Sequence, residues 1–350
     1  MSIPRSNVLA LDGGSGQATR ALFLMFGALV ALAALTIDRN NLIDQQNYVD
    51  YFSEGPTWSW LGQFANVDGG WPATIARLFT EEFLWRLWTA VIGAWLAPTS
   101  AVLLTVMLLN VFMVLACARL ANANIALLIW LTLPVGFVVT GIIQIRQGMA
   151  LAVFLLVSLR LSTPVVGALL ASLIHTTFLP ILLFACVAAV LRRHRLLAAG
   201  ATAALGIAGA EAGSAIFAAF GGRRLSIVSV DEGASSINYV LVALLCVLPS
   251  LERCIFRPTT AHDGTYALVI DQLAALHVGL VAFTALSFFI FPVGTSRIGY
   301  MITLLLIPIL GSVSADRSSA VLAAVAAWLT VGYLVAKFAV DGQFKILLGL

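Results

Sequence analysis

The chain has 350 residues, of which 61% are hydrophobic and only 10% are charged, and its formal net charge is +3. A soluble domain carries about 25% charged residues, so this composition excludes a soluble enzyme or binding domain. The small net charge identifies no partner, and no nucleic acid is expected. A mean hydropathy of +1.02 instead predicts an all-α, polytopic membrane protein.

Apolar segments that could cross a membrane recur from residue 21 to the C-terminus. They lie near 21–37, 99–118, 124–142, 147–161, 164–191, 196–220, 238–251, 265–291, 298–313 and 318–336, with a shorter aromatic candidate at 83–97. This pattern predicts a single multi-spanning membrane domain over residues 1–350 with about 10–11 transmembrane helices. A GT-C-like arrangement is one form that such a fold could take. The first segment is interpreted as an uncleaved signal anchor, because so many spans follow it.

Two polar insertions separate these segments. The longer one, residues 38–82, follows the first span and contains Trp58, Trp60 and Trp71, a residue type that favours the membrane–water interface. We therefore predict that 38–82 folds as short helices and forms a cap over the outer opening. The second insertion, 221–237, is predicted to be another outer loop.

The orientation follows from the basic residues that flank the spans. The strongest basic cluster, residues 192–195, is placed in the cytoplasm, and Arg253 then falls on the same side. Counting spans back from this cluster leaves two topologies for the region before it, and they differ in how the 28-residue segment 164–191 crosses the membrane.

In the first topology, 164–191 is one span and 83–97 is another, which puts Arg146 on the inside. In the second, 164–191 is a bent hairpin of two half-length pieces and 83–97 lies at the interface, which puts Arg146 and His175 on the outside. Half-length pieces are tolerated only where they are buried in protein or line a cavity. We favour the hairpin because it gathers the polar residues on one face.

The stretch DQQNYVDYF, residues 44–52, is a candidate site. Asp44, Tyr48 and Tyr51 are spaced i, i+4 and i+7, which places them on one face of a helix. A carboxylate beside two phenols could activate a hydroxyl or hold a sugar. The alternative is an interfacial helix that uses tyrosine as a membrane-belt residue.

Arg146 and Gln147 interrupt almost pure membrane sequence at residues 141–156. An unpaired guanidinium inside a bilayer costs about 2.5–3.5 kcal/mol on insertion scales, which calls for a partner or a function. The pattern predicts that Arg146 lies in the first turn of a helix, where the helix N-terminus and the guanidinium fork both favour phosphate. The alternative is a flanking residue that extends its charge to the membrane surface.

His175 lies within an apolar segment just before a proline. A titratable side chain inside a membrane segment is a candidate functional residue, and histidine is the commonest general base. The alternative is a structural histidine that only satisfies hydrogen bonds.

Further arginines are predicted on the outer face. Arg297 is at the start of a span with Tyr300 one turn later, and two arginines from different spans could clamp one pyrophosphate. Arg223 and Arg224 lie in the outer loop 221–237 and are either substrate-binding or merely solvated.

Motifs for several other chemistries are absent from the sequence. The N-terminal DGGSGQ lacks the Gly-Lys-Ser/Thr ending of a phosphate-binding loop, and no Asp-x-Asp, His-Glu-x-x-His or Gly-x-Ser-x-Gly occurs. We therefore expect chemistry that uses no metal ion, no ATP and no other cofactor.

Five stretches together resemble one protein family. DQQNYVDYF, EEFLWRLW, IRQGMALAVFLL, ASLIHTTF and SRIGYM occur in the order and spacing of the EpsG family of Wzy-type polysaccharide polymerases, over roughly residues 38–305. The IRQ stretch followed some 25 residues later by the His175 stretch is the most specific part of this resemblance. The pattern carries over to a set of candidate site residues: Asp44, Tyr48, Tyr51, Arg146, Gln147, His175 and Arg297.

The resemblance implies a multi-pass glycosyltransferase of the bacterial inner membrane. It would join oligosaccharide repeat units carried on undecaprenyl pyrophosphate into exopolysaccharide or O-antigen, at the periplasmic or outer face. Implied partners are the lipid-linked oligosaccharide, membrane lipid, and flippase and chain-length regulator proteins. On this interpretation Arg146 and Arg297 hold the pyrophosphate, and His175 or Asp44 serves as the base.

Two other classes of protein remain open from the sequence. A flippase or transporter of an anionic lipid-linked substrate could use the same arginines, although its usual internal repeat is not found. Another membrane glycosyltransferase, a lipopolysaccharide ligase or a membrane acyltransferase is the second alternative.

Overall fold

The computed structural model describes residues 44–65, 70–220, 244–256, 265–290 and 295–312, together with residues 25, 27–29 and 32. These ranges contain helices and no strand, which agrees with the predicted all-α membrane class. The predicted spans near 21–37 and 318–336 fall largely or wholly outside the described residues. The loop 221–237, with Arg223 and Arg224, also lies outside them.

The α-helices are numbered here in chain order. They are α1 Gln45–Glu54, α2 Gly62–Ala65, α3 Gly70–Thr80, α4 Phe83–Gly93, α5 Pro98–Cys117, α6 Ala123–Thr132, α7 Ile145–Leu161, α8 Pro164–Ile174, α9 Leu179–Val190, α10 Arg195–Phe220, α11 Leu248–Phe256, α12 Thr265–Ile290, α13 Thr295–Leu304 and α14 Leu306–Leu310. A π-helix, Pro134–Ile143, connects α6 to α7, and 3-10 turns occupy Gly55–Thr57, Ser59–Leu61 and Thr176–Phe178.

Two helices in the described ranges are long and apolar enough to cross a membrane, Pro98–Cys117 and Tyr266–Ser287. A third crossing results if the bent pair Ala123–Leu131 and Val135–Ile143, which meet at 66°, is a single span. The bend has a local cause, because Pro134 disfavours a helical conformation at the residue before it. The total of about 10–11 spans stays a prediction, since several of the predicted spans lie outside the described residues.

The segment 164–191 is divided into two short helices. α8 ends at Ile174, His175 has an extended backbone with φ −148° and ψ 125°, and α9 begins at Leu179 after a 3-10 turn. The break therefore falls at His175, and Pro180 lies in the first turn of α9. The helix α4 has 11 residues, a length of about 16 Å against a hydrocarbon core of about 30 Å. Both observations favour the topology with a hairpin at 164–191 and no full span at 83–97.

The described part of the insertion 38–82 folds as short helices, as predicted. α1 packs against α4 and α5, and α3 packs against α8, so the insertion is fixed to the helical bundle. Trp71 is 75% exposed and Trp58 is 41% exposed, while Trp60 is buried. Two exposed tryptophans, one on a short helix and one between two 3-10 turns, suit an interfacial position. That the insertion caps an outer opening stays a prediction.

α7 lies at the centre of the described bundle. It packs closely against α8, because a side chain on Gly167 would place its Cβ only 2.4 Å from the Oγ of Ser158. α7 also packs against α5, and α10 pairs along its length with α12. Such close helix approach at small residues is typical of helix packing in membranes.

The packing supports a prediction about sidedness. α9 has 12 residues and a length of about 18 Å, and it separates His175 from the basic residues at 192–195. We expect cysteines introduced next to Arg146 and His175 to react with a membrane-impermeant thiol reagent from the outside, and one at Arg193 to react only from the inside. The measurement uses a protein in which Cys117, Cys186, Cys246 and Cys254, all free thiols, have been replaced. Labelling near residue 146 from the cytoplasmic side alone would contradict this topology.

Candidate active site

An open cavity of about 420 Å³ lies between α1 and the start of α7. Its lining residues are polar: Asp44, Asn47, Tyr48, Asp50, Tyr51, Glu54 and Arg146. Tyr48 and Tyr51 lie on the predicted face of α1, whereas Asp44 directly precedes the helix and is not part of it. All three line the same cavity as the predicted arginine. A polar cavity with carboxylate, amide, phenol and guanidinium groups has the donors and acceptors that a sugar requires.

The tyrosine face of α1 is positioned by one buried tryptophan. Tyr48, Tyr51 and Phe52 each contact the Trp85 ring edge to face, with centroid separations of 6.0, 6.3 and 6.1 Å. Such aromatic pairs add about 0.5–1.5 kcal/mol each beyond the burial of their surface. Trp85 lies in α4, so this packing fixes the cavity wall to the helix that follows Glu82.

Asp44 stands at the edge of the cavity, directly before α1. Its backbone has a left-handed conformation with φ 72°. One carboxylate oxygen, Oδ1, accepts a hydrogen bond from Nδ2 of Asn47 at 3.2 Å. The other oxygen has no hydrogen-bond partner among the described residues, so it is available to a ligand.

Arg146 is the second residue of α7, as predicted, and its side chain is 15% exposed. Gly148, one residue beyond Gln147, allows the start of α7 to lie against the preceding π-helix, since a Cβ there would lie 2.0 Å from the carbonyl oxygen of Thr140. The Nη1 of Arg146 donates to the hydroxyl of Tyr51 at 3.3 Å, and the guanidinium carbon lies 5.5 Å from the centroid of that ring.

The charge of Arg146 is balanced by Glu82. Arg146 Nη1 and Glu82 Oε2 are 2.6 Å apart, and the Glu82 side chain is only 4% exposed. The Nε of Arg146 is buried and has no hydrogen-bond partner. The guanidinium is therefore held through Nη1, and an unmet buried donor such as Nε costs about 1–3 kcal/mol.

Glu82 also connects to the helix break at His175. Its Oε1 accepts from the backbone N–H of Thr176 at 3.2 Å and from the Thr176 hydroxyl at 3.4 Å, and it lies 3.5 Å from Nδ1 of His175. One carboxylate thus joins the start of α7 to the break between α8 and α9.

His175 is buried and is not among the residues that line the cavity. Its Nδ1 accepts a hydrogen bond from the backbone N–H of Thr177 at 3.3 Å, which caps the 3-10 turn that follows. His175 therefore makes a structural contact, and Glu82 and Arg146 lie between it and the cavity.

The remaining predicted residues are not brought into the cavity lining in the described part of the chain. Gln147 is buried within α7, and Tyr300 is half-buried and packs against the core. Arg297 lies in the first turn of α13, a helix that contacts the π-helix before Arg146. Arg223 and Arg224 are outside the described residues.

A second buried ion pair lies toward the opposite end of α9. Arg253 Nε and Asp271 Oδ1 are 2.7 Å apart, and Arg195 Nη1 lies 4.0 Å from the other oxygen of Asp271. The structure thus brings together basic residues that the sequence places on one side of the membrane. This pair connects α11 to α12.

Glu82 is the site residue that the sequence analysis missed. It belongs to the stretch EEFLWRLW, which contributed to the family resemblance, but its carboxylate was not considered as a partner for Arg146. The available signal was electrostatic, because a charged residue in a membrane segment usually has a partner of opposite charge.

Within the described ranges, no group of three or more His, Cys, Asp or Glu side chains is arranged to hold a metal ion. The cationic group of the cavity is Arg146, and preorganised arginines stabilise negative charge that develops on a departing phosphate.

The fold and the site define a helical membrane protein with a buried ionic centre beneath a polar, sugar-compatible cavity. Residues 20–347, nearly the whole chain, match the EpsG family, and the chain therefore belongs to the EpsG family, a family of Wzy-type polymerases. No curated protein and no solved structure matches the chain. The family membership predicted from the five stretches is confirmed, while the GT-C-like arrangement stays a prediction.

Proposed function

We propose that this protein is a polysaccharide polymerase that joins undecaprenyl-pyrophosphate-linked oligosaccharide repeat units into exopolysaccharide or O-antigen. It would be a multi-pass protein of the bacterial inner membrane with its cavity open to the periplasmic face. The observation that carries the proposal is a sugar-compatible cavity lined by an arginine whose guanidinium is held in place by Glu82 and Tyr51. Membership of the EpsG family supports the same activity.

The reaction is a glycosyl transfer between two lipid-linked chains. A hydroxyl oxygen of the acceptor sugar attacks the anomeric carbon of the donor sugar, and a new C–O bond forms. The bond from that carbon to the pyrophosphate breaks, and its electron pair leaves with undecaprenyl pyrophosphate. The hydroxyl proton passes to a base.

Arg146 is proposed to stabilise the leaving pyrophosphate. Negative charge increases on the pyrophosphate as the bond breaks, and a donor fixed in place before the reaction stabilises that charge without reorganisation. Glu82 and Tyr51 fix the guanidinium through Nη1, and Arg146 lines the cavity that would hold the ligand. Arg297 is the proposed second donor, and Gln147, Tyr300, Arg223 and Arg224 are retained as weaker candidates for substrate binding.

Asp44 is the proposed base. A base must reach the proton that it removes, either directly or through one water, and Asp44 lines the cavity with one oxygen free of partners. His175 is buried behind Arg146 and Glu82, so it is the less direct candidate. Tyr48 and Tyr51 would form part of the sugar-binding wall.

Reconstitution tests the proposal. The purified protein in liposomes is supplied with lipid-linked repeat units extracted from a strain that lacks the gene, and products are separated by length on a gel. We expect a ladder of polymer and release of undecaprenyl pyrophosphate, both absent from protein-free liposomes. Movement of the lipid-linked units across the bilayer with no increase in length would instead identify a flippase.

A further inference from the structure

We propose that Glu82 is the positioning residue of the site, which orients Arg146 for turnover from the break between α8 and α9. This inference rests on the proposed polymerase function and adds a residue to it. Glu82 does not line the cavity, so it acts through Arg146. Loss of Glu82 should therefore lower turnover without lowering the affinity for pyrophosphate, because only turnover requires Glu82.

The two oxygens of Glu82 have different partners. Oε2 is 2.6 Å from Nη1 of Arg146, whereas Oε1 accepts from the backbone N–H of Thr176 at 3.2 Å. A backbone donor next to an extended residue is a fixed point, since it moves only with the helix break itself. Glu82 therefore anchors Arg146 to the backbone of Thr176 at the break, which lies 30 residues beyond Arg146 in the sequence, and not to a flexible side chain.

The backbone at Glu82 indicates that its side chain is required there. It has φ 54° and ψ 57°, the left-handed conformation that residues other than glycine, asparagine and aspartate rarely adopt. A residue in this conformation persists only where its surroundings over-determine it, and such positions cluster at functional sites. Glycine would avoid the strain but would supply no carboxylate for Arg146.

The charge of Glu82 acts against pyrophosphate binding. A carboxylate 2.6 Å from Nη1 offsets part of the positive charge of Arg146, which lowers the attraction of this site for an anion. A residue selected to strengthen pyrophosphate binding would not be acidic. What Glu82 does provide is a fixed guanidinium plane with Nε left unpartnered, and a misplacement of about 1 Å can cost about 100-fold in rate.

The test is Glu82→Gln in the full-length protein. Glutamine keeps an acceptor for the Thr176 N–H, but it presents an amide donor to the donor Nη1 of Arg146. We expect the rate of polymer formation to fall by about 100-fold, while the affinity for undecaprenyl pyrophosphate, measured by direct binding to the purified protein, stays the same or increases. Glu82→Asp retains the charge and shortens the reach, so it should lose turnover as well.

Asp271→Asn is the matched control. Asp271 forms a buried pair with Arg253 of similar length, 2.7 Å, and does not line the cavity, so it reports the effect of breaking such a pair on folding alone. Normal turnover in Glu82→Gln would overturn the inference. Equal losses of turnover and binding in Glu82→Gln, the pattern expected from a folding defect as in Asp271→Asn, would also overturn it. If the wild-type protein itself formed no polymer, the proposed function would fail and this inference with it. If the wild-type protein formed polymer and only Glu82→Gln departed from expectation, this inference alone would fail.

Discussion

Arg146→Lys should abolish polymer while leaving a well-folded protein in the membrane. Lysine can still pair with the buried Glu82, so the charge balance of the site is kept. Its single ammonium group would be taken up by that pairing, whereas the guanidinium has further donors in a fixed plane, and lysine loses the contact with the Tyr51 ring at 5.5 Å. Removal of one preorganised donor to a developing charge costs about 10²–10³ in rate. The measurement is polymer length in cells that lack the native gene, scored beside the membrane level of each variant.

Arg86→Lys is the matched control for this experiment. Arg86 and Glu81 form a pair of similar length, 2.7 Å, but their side chains are 24% and 39% exposed and lie outside the cavity. An exposed pair of this kind contributes about 0–1 kcal/mol, so Arg86→Lys should make normal polymer. Normal polymer from a well-expressed Arg146→Lys protein would instead assign Arg146 a role that needs only a long cationic side chain.

Arg146→Ala is the less informative variant. It leaves the Glu82 carboxylate buried without its cation, and breaking a buried pair in this way destabilises a protein by about 3–5 kcal/mol. The loss of polymer would then reflect low protein levels as well as lost chemistry. Arg297→Lys, whose native residue lies in the first turn of α13, is the companion variant for a two-arginine clamp.

The parts of the site that are local in the chain could be predicted from the sequence. The spacing of Tyr48 and Tyr51 fixes their shared face of α1, because helix geometry depends only on residues within two turns. Asp44 lines the same cavity although it precedes the helix. The start of a helix at Arg146 followed from the apolar run after it. The division of 164–191 was one of two open alternatives, since helix periodicity does not show that a histidine will interrupt it.

The ion pair between Arg146 and Glu82 could not be predicted in the same way. The two residues are 64 positions apart, and the contact depends on how α4, α7 and the break at His175 pack together. Hydropathy gave no indication of this ion pair. Glu82 directly precedes the aromatic run 83–97, which the sequence suggested only as a short span or an interfacial helix. The buried position of His175 likewise depends on packing, and so the sequence left its role open.

Asp44→Asn should stop turnover and retain binding of the lipid-linked substrate. Asparagine preserves the shape of the side chain and its hydrogen bond with Asn47, but it cannot take up the proton of the acceptor hydroxyl. Loss of a general base costs about 10²–10⁴ in rate. Asp50 lines the same cavity but is exposed, whereas Asp44 is half-buried, so Asp50→Asn is the matched control and should reduce the rate by much less. The readouts are the polymerisation rate in liposomes and the retention of labelled lipid-linked repeat units.

His175→Gln decides between the two candidate bases. Glutamine can still accept the hydrogen bond from the Thr177 N–H that caps the turn after the helix break, but it cannot act as a base. If Asp44 removes the proton, this variant should keep a substantial part of the wild-type rate, because His175 lies 3.5 Å from Glu82 and outside the cavity lining. A loss as large as that of Asp44→Asn, with substrate still bound and the protein at normal levels, would move the proton transfer to His175. In that case the imidazole must reach the acceptor by a rearrangement at the break, because its ring is buried in the structure.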